Sequence, residues 1–138
     1  MKKIKIQLIF DITEIERHSE NFLNLKNEIY SGEFQREFSK NIVSNQYFKP
    51  ERDYIPEKVK ASILINNLKQ GFYQIIYTIN FNISEIGFKS SEFIEFKNHI
   101  ESGNMKKEFE TVTVTDSKNK TPEKCFNPKN LTIILIIK

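Results

Sequence analysis

Residues 72–84 read FYQIIYTINFNIS, and their alternation decides the fold class. Tyr73, Ile75, Tyr77, Ile79, Phe81 and Ile83 fall on one side of an extended chain, with Gln74, Thr78, Asn80 and Asn82 on the other. Successive strand residues point to opposite faces, so this spacing builds one apolar and one mostly polar surface. The chain opens on the same pattern, with Ile4, Ile6, Leu8, Phe10 and Ile12 set against Lys3, Lys5, Gln7 and Asp11. Both stretches are half-buried strands whose apolar sides need helices to cover them.

Outward from this strand, Val59, Ala61, Ile63 and Ile65 predict a strand over 58–66, joined to it by a turn ending at Gly71. Thr13 and Glu16 have the spacing of a capping box, and Ile15, Phe22, Leu25 and Ile29 continue as a helical stripe ending near Ser31 and Gly32. Phe34, Phe38 and Ile42 suggest a second helix, and Phe93, Phe96 and Ile100 a third that ends near Gly103. Val112 and Val114 predict a strand over 107–115. A last strand over 131–137 is apolar on both faces, which suits a central strand or one at a subunit contact. The expected architecture is a single α+β domain, 1–138. It has about five strands, antiparallel or mixed, under three helices in the order βααββαββ. No internal repeat, heptad array or low-complexity tract is read along the chain.

Composition narrows the class. The 138 residues are 38% hydrophobic, too apolar and too regularly patterned for a disordered segment. Lysine and arginine number 21 against 18 acidic residues, and the abundance of Lys, Asn, Ile and Phe matches an AT-rich, bacterial or phage genome. Codon bias therefore accounts for many of the lysines. Cys125 is the only cysteine and cannot form an internal disulfide. The opening MKKIKIQLIF is interrupted by Lys5 and Gln7, so it does not read as a signal peptide, and no apolar run is long enough to span a bilayer. These features lead to the expectation of a soluble, cytoplasmic protein without a membrane partner.

Catalytic motifs are not legible. The four glycines are isolated, which excludes a P-loop or a dinucleotide-binding turn, and neither HExxH nor CxxC occurs. No cofactor, metal ligand or catalytic residue is expected. Glu14, Glu16 and Glu20 with Asp11 and His18 are read as caps at a helix start. One stretch, EFIEFKN, carries Glu95-x-Lys97 with Glu85 upstream, and it resembles the metal-dependent nuclease core of the PD-(D/E)xK family. The resemblance implies two carboxylates holding Mg²⁺ and a lysine stabilising developing charge, with Glu-x-Lys on a strand.

Two segments suggest binding instead. Tyr47, Phe48, Arg52 and Tyr54 lie in a connection that contains Pro50 and ends at Pro56, and are the residue types that anchor protein interfaces. The loop 116–130 carries Lys118, Lys120, Lys124 and Lys129 around Phe126, a pattern that could follow a phosphate backbone and stack on a base. The expected function is a non-catalytic protein-interaction module such as an adaptor, an inhibitor or immunity factor, or an assembly subunit. Nucleic-acid binding through the lysine loop is the alternative, and self-association through a sheet edge is compatible with both.

Overall fold

The structure, a computed structural model, describes residues 1–36, 56–115 and 123–138. Its elements are β1 (Lys2–Thr13), α1 (Glu14–Arg17), α2 (Glu20–Tyr30), α3 (helical over 33–36), β2 (Glu57–Lys69), β3 (Phe72–Ile83), α4 (Glu85–Phe88), α5 (Ser91–Glu101), α6 (Asn104–Thr115) and β4 (Lys129–Ile137). The strands form one antiparallel sheet in the order β2-β3-β1-β4. The α+β class holds, and the expected apolar face of β1 and β3 is the core. Ile4, Ile6, Phe10, Ile12, Ile75 and Ile83 are buried against Phe22 and Ile29 of α2 and Phe93 and Ile100 of α5.

Several expected details are corrected. Four strands are present among the described residues, because 107–115 lies in a helix. Gly103, at a φ of +87°, ends α5, and the Lys107 amide then donates to the Gly103 carbonyl at 3.1 Å as a new helix begins. Met105 and Phe109, one helical turn apart, pack on the core, and the Phe109 ring lies 5.6 Å from that of Phe10. Tertiary burial here overrides the β preference of Val112 and Val114. The helix expected from Ile15 to Ile29 is two helices. The buried Ser19 hydroxyl accepts from the Phe22 amide at 3.3 Å and caps α2 afresh. The expected capping box at Thr13 and Glu16 is formed. Finally, among the described residues β4 pairs with β1 alone at the sheet edge, so of its two expected settings the central one is corrected.

The expectation of no internal repeat is also corrected: the described residues of the two halves repeat one unit. A shift of 71 positions relates Gln7 to Thr78, and the same shift carries Glu14, Ser19, Phe22, Ile29, Ser31 and Gly32 onto Glu85, Ser90, Phe93, Ile100, Ser102 and Gly103. The geometry repeats with the sequence. Ser19 and Ser90 cap α2 and α5 at ψ of 153° and 154°, and Ser31 and Ser102 close them at ψ of −11° and −12°. Gly32 and Gly103 follow at φ of +80° and +87°, a left-handed conformation that an L side chain would strain. The unit is β-helices-β, a split β-α-β, and two of them interleave their strands in one sheet. Gln7 pairs in register with Thr78, its own counterpart, so the local twofold axis passes between them, and their side chains hydrogen-bond at 3.3 Å. Even a ring contact recurs with its roles exchanged. Arg17 stacks over Tyr73 at 4.5 Å, while Lys2, the counterpart of Tyr73, stacks over Phe88, the counterpart of Arg17.

Candidate nucleic-acid interface

Helices cover one face of the sheet, so the alternation that buries one set of strand side chains presents the other set on the opposite face. At one end of that open face two rows cross the strands. In the first, Lys60 of β2 stands opposite Asn80 of β3, which is opposite Lys5 of β1, which is opposite Ile136 of β4. In the second, Asn82 pairs with Lys3, whose backbone exchanges hydrogen bonds of 3.0 and 2.9 Å with Lys138, and Lys58 lies on the β2 side. These side chains line a shallow hollow of about 560 Å³ with five lysines and, among the described residues, no carboxylate side chain. Glu57, in register with Asn82, is exposed and lies outside the lining. None of the five lysines is in an ion pair among the described residues.

The molecule supplies its own control for codon bias. The local twofold carries this end of the face onto the other, where Lys3 and Lys5 become Gln74 and Ile76, and Asn82 becomes Asp11. Register about the two outer strands matches Lys58 with Asn130 and Lys60 with Thr132. At the far end Lys129, which matches Glu57, is in register with Asp11 and pairs with Glu16 at 3.7 Å, Lys69 lies over the Phe72 ring, and the polar groups are partnered. Asn130 donates to Asp11 at 3.0 Å and Asn66 to Gln74 at 3.5 Å. A general lysine bias would load both ends alike, yet five lysines line one end and two, Lys69 and Lys129, lie at the other.

Lys58 adds a second sign. Its φ is +53° and that of its match Asn130 is +56°, each beside a register shift of its strand pair. Asparagine tolerates the left-handed region, whereas lysine rarely adopts it. The bulge on β2 thus holds a lysine where the backbone favours Asn or Gly, and strained residues of this kind concentrate at binding sites.

The residues singled out from the sequence are placed differently. Tyr47, Phe48, Arg52, Tyr54, Lys118 and Lys120 lie outside the described residues. Lys124 pairs with Glu20 at 3.3 Å and Lys129 with Glu16 at 3.7 Å. Phe126 is in the core, stacked 5.7 Å from Phe10 and edge-on to Phe22 at 5.4 Å, so its ring has no open face for a base. Glu16 does more than cap: its buried carboxylate accepts from the Thr13 amide and hydroxyl and from the Asn127 amide at 2.6 Å, tying the chain before β4 to the start of α1. Glu95 and Lys97 sit on α5, not on a strand. Two positions along a helix turn about 200° around its axis, so the two do not share a face, and Lys97 instead pairs with Glu101 at 3.7 Å. This corrects the nuclease resemblance. His99 reaches Glu108 of α6 at 3.0 Å.

No cluster of three or more metal-ligating side chains occurs among the described residues, nor does any of their helices have the length and apolarity to cross a membrane. A surface group forms where α1 meets β3. A hydrogen bond from the Tyr73 hydroxyl holds the Glu14 carboxyl below its ordinary value of 4.5, with His18 and Arg17 adding to the effect against a smaller opposing effect of burial. The same bond raises the Tyr73 phenol. Comparison of the chain with known protein families, curated proteins and solved structures finds no match.

Sequence reasoning treated Lys3 and Lys5 only as the outward side of a strand and gave Lys58 and Lys60 no role. The signal that finds the site is a self-comparison of the chain at a shift of 71, followed by asking where the two copies differ in charge.

Proposed function

We propose that this protein binds a nucleic acid through the lysine-lined end of its open sheet face, gripping the phosphate backbone. The observation that carries the reading is the difference between the two related ends of one face: five lysines and no carboxylate side chain among the described lining residues, against an end with Lys69 and the paired Lys129 whose polar groups bond to one another. Lys3 and Lys5, two residues apart on β1, lie about 6.8 Å apart along the strand, a spacing comparable with successive phosphates. No aromatic side chain stands on the outward positions of the rows, because Phe81, which also lines the hollow, is buried toward the core. The contacts are therefore electrostatic and indifferent to sequence, and stacking on bases plays no part. Asn80 and Asn82 add neutral donors between the lysines.

The test is fluorescence anisotropy with a labelled single-stranded oligonucleotide across a salt series. Affinity falls linearly with salt on logarithmic axes, and the double variant Lys5→Gln, Lys60→Gln flattens the slope by about 1.4, from about 0.7 per phosphate contact. Absence of binding at low salt, or a slope unchanged by the double variant, overturns the reading. A protein-interaction module is the second reading. It is favoured by Leu64 and Leu68 of β2, which stay 55% and 49% exposed at the other end of the same face.

A further inference from the structure

Among the described residues no strand pairs with the outer edge of β4, a separate surface. Lys138 exchanges backbone bonds with Lys3, and the register continues as Lys5 with Ile136 and Gln7 with Ile134. Even-numbered residues of β4 thus bond to β1, and the amides and carbonyls of Ile133, Leu135 and Ile137 point away from the sheet. On the opposite edge the matching groups are closed from the side. Gln35 donates to the Val59 carbonyl at 3.1 Å and accepts from the Ala61 amide at 3.0 Å, as an extra strand would. The 71-residue shift puts Lys106 at the position of Gln35, and an ammonium group cannot accept from an amide. The protection of β2 is therefore not copied on β4.

Beside this edge a groove of about 280 Å³ runs between α5 and β4, lined by Ile100, Ile133, Leu135 and Ile137 with Lys97 and Glu101 on its rim. On the other face of β4, Ile134 is 37% exposed. A long edge strand that is apolar on both sides and carries no inward charge is a template for pairing with another chain.

We infer that β4 pairs antiparallel with β4 of a second copy, extending the sheet across both molecules. The occupant follows from charge and symmetry. A twofold axis through Leu135, normal to the sheet, sets Ile133 against Ile137, covers the apolar groove and leaves the helices of both copies on one side. Reversal of α5 by that axis brings Lys97 of one copy toward Glu101 of the other, so the rim is complementary to itself. The inference does not depend on nucleic-acid binding.

Sedimentation equilibrium of the full chain over micromolar to submillimolar concentrations tests it. The expected result is a reversible rise from the monomer mass of 16.4 kDa to twice that value. Leu135→Pro removes an outward amide without touching the ladder to β1 and returns the protein to a monomer. Lys97→Glu, which sets two carboxylates face to face across the axis, raises the dissociation constant about tenfold, and adding Glu101→Lys restores it. Circular dichroism establishes that each variant is folded, and the charge pair, exposed on a helix, keeps the question answerable if the proline variant unfolds. A monomer at every concentration overturns the inference, as does a dimer that both Lys97→Glu and the charge swap leave unchanged.

Discussion

Replacing Lys58 by Asn separates binding from stability, because the structure assigns the two effects opposite signs. Lys58 occupies a left-handed backbone position at φ +53°, and its counterpart Asn130 occupies the same conformation at +56°. The left-handed region costs an ordinary L-residue about 1–2 kcal/mol, and asparagine recovers part of this by local hydrogen bonding. Lys58→Asn should therefore stabilise the fold by about 0.5–1 kcal/mol, a rise of about 2–4 °C in melting temperature for a domain of this size. The same change removes one of five cations from the hollow. With a slope of about 0.7 per neutralised phosphate on a single strand, loss of one contact weakens binding about fivefold near 0.1 M salt and flattens the salt dependence by that amount. Differential scanning calorimetry and an anisotropy salt series on the same preparation measure both quantities. A variant that is less stable refutes the strain argument, and one that binds with undiminished slope removes Lys58 from the site.

Three further expectations rest on different parts of the molecule. Phe126→Ala, which removes a ring buried between Phe10 and Phe22, should cost about 3–5 kcal/mol in urea denaturation; a loss below 1 kcal/mol would mean that the segment before β4 does not pack as described. Glu16→Ala strands the Thr13 and Asn127 amides, and the same assay should show a loss of about 1–3 kcal/mol. Tyr73→Phe should return the Glu14 carboxyl toward 4.5, read by NMR titration of its side-chain carbon. Because that pKa is depressed in the folded state, the stabilisation it brings is present at neutral pH and is lost as pH falls through the folded value.

Much of this molecule was legible locally. The alternation from Tyr73 to Ile83 and from Ile4 to Ile12 correctly assigns which side chains are core, since in an extended chain residue parity alone decides the face. The capping box at Thr13 needs only residues three apart and was read correctly. Where local preference and burial disagreed, the sequence misled: Val112 and Val114 alternate like a strand, yet Met105 and Phe109 draw their segment onto the core as a helix. Loop 116–130 was read as a basic arm. Two of its lysines are paired with glutamates of the first helices and its phenylalanine is core, contacts that span over one hundred residues and leave no local trace.

By itself the sequence determined the faces of the strands and the capping box at Thr13, whereas the recurrence of Ser19, Phe22, Ile29, Ser31 and Gly32 as Ser90, Phe93, Ile100, Ser102 and Gly103 showed as a repeat only once the fold set the two units in register. Only the tertiary structure decided that β1 and β3 lie side by side with β2 and β4 outside them. That order draws Lys3, Lys5, Lys58, Lys60 and Lys138 from three distant segments into one hollow. Face is a property of backbone geometry within one strand, whereas neighbourhood is set by hydrogen bonding between strands far apart in the chain, so charge clusters across a sheet become visible only once the register is fixed.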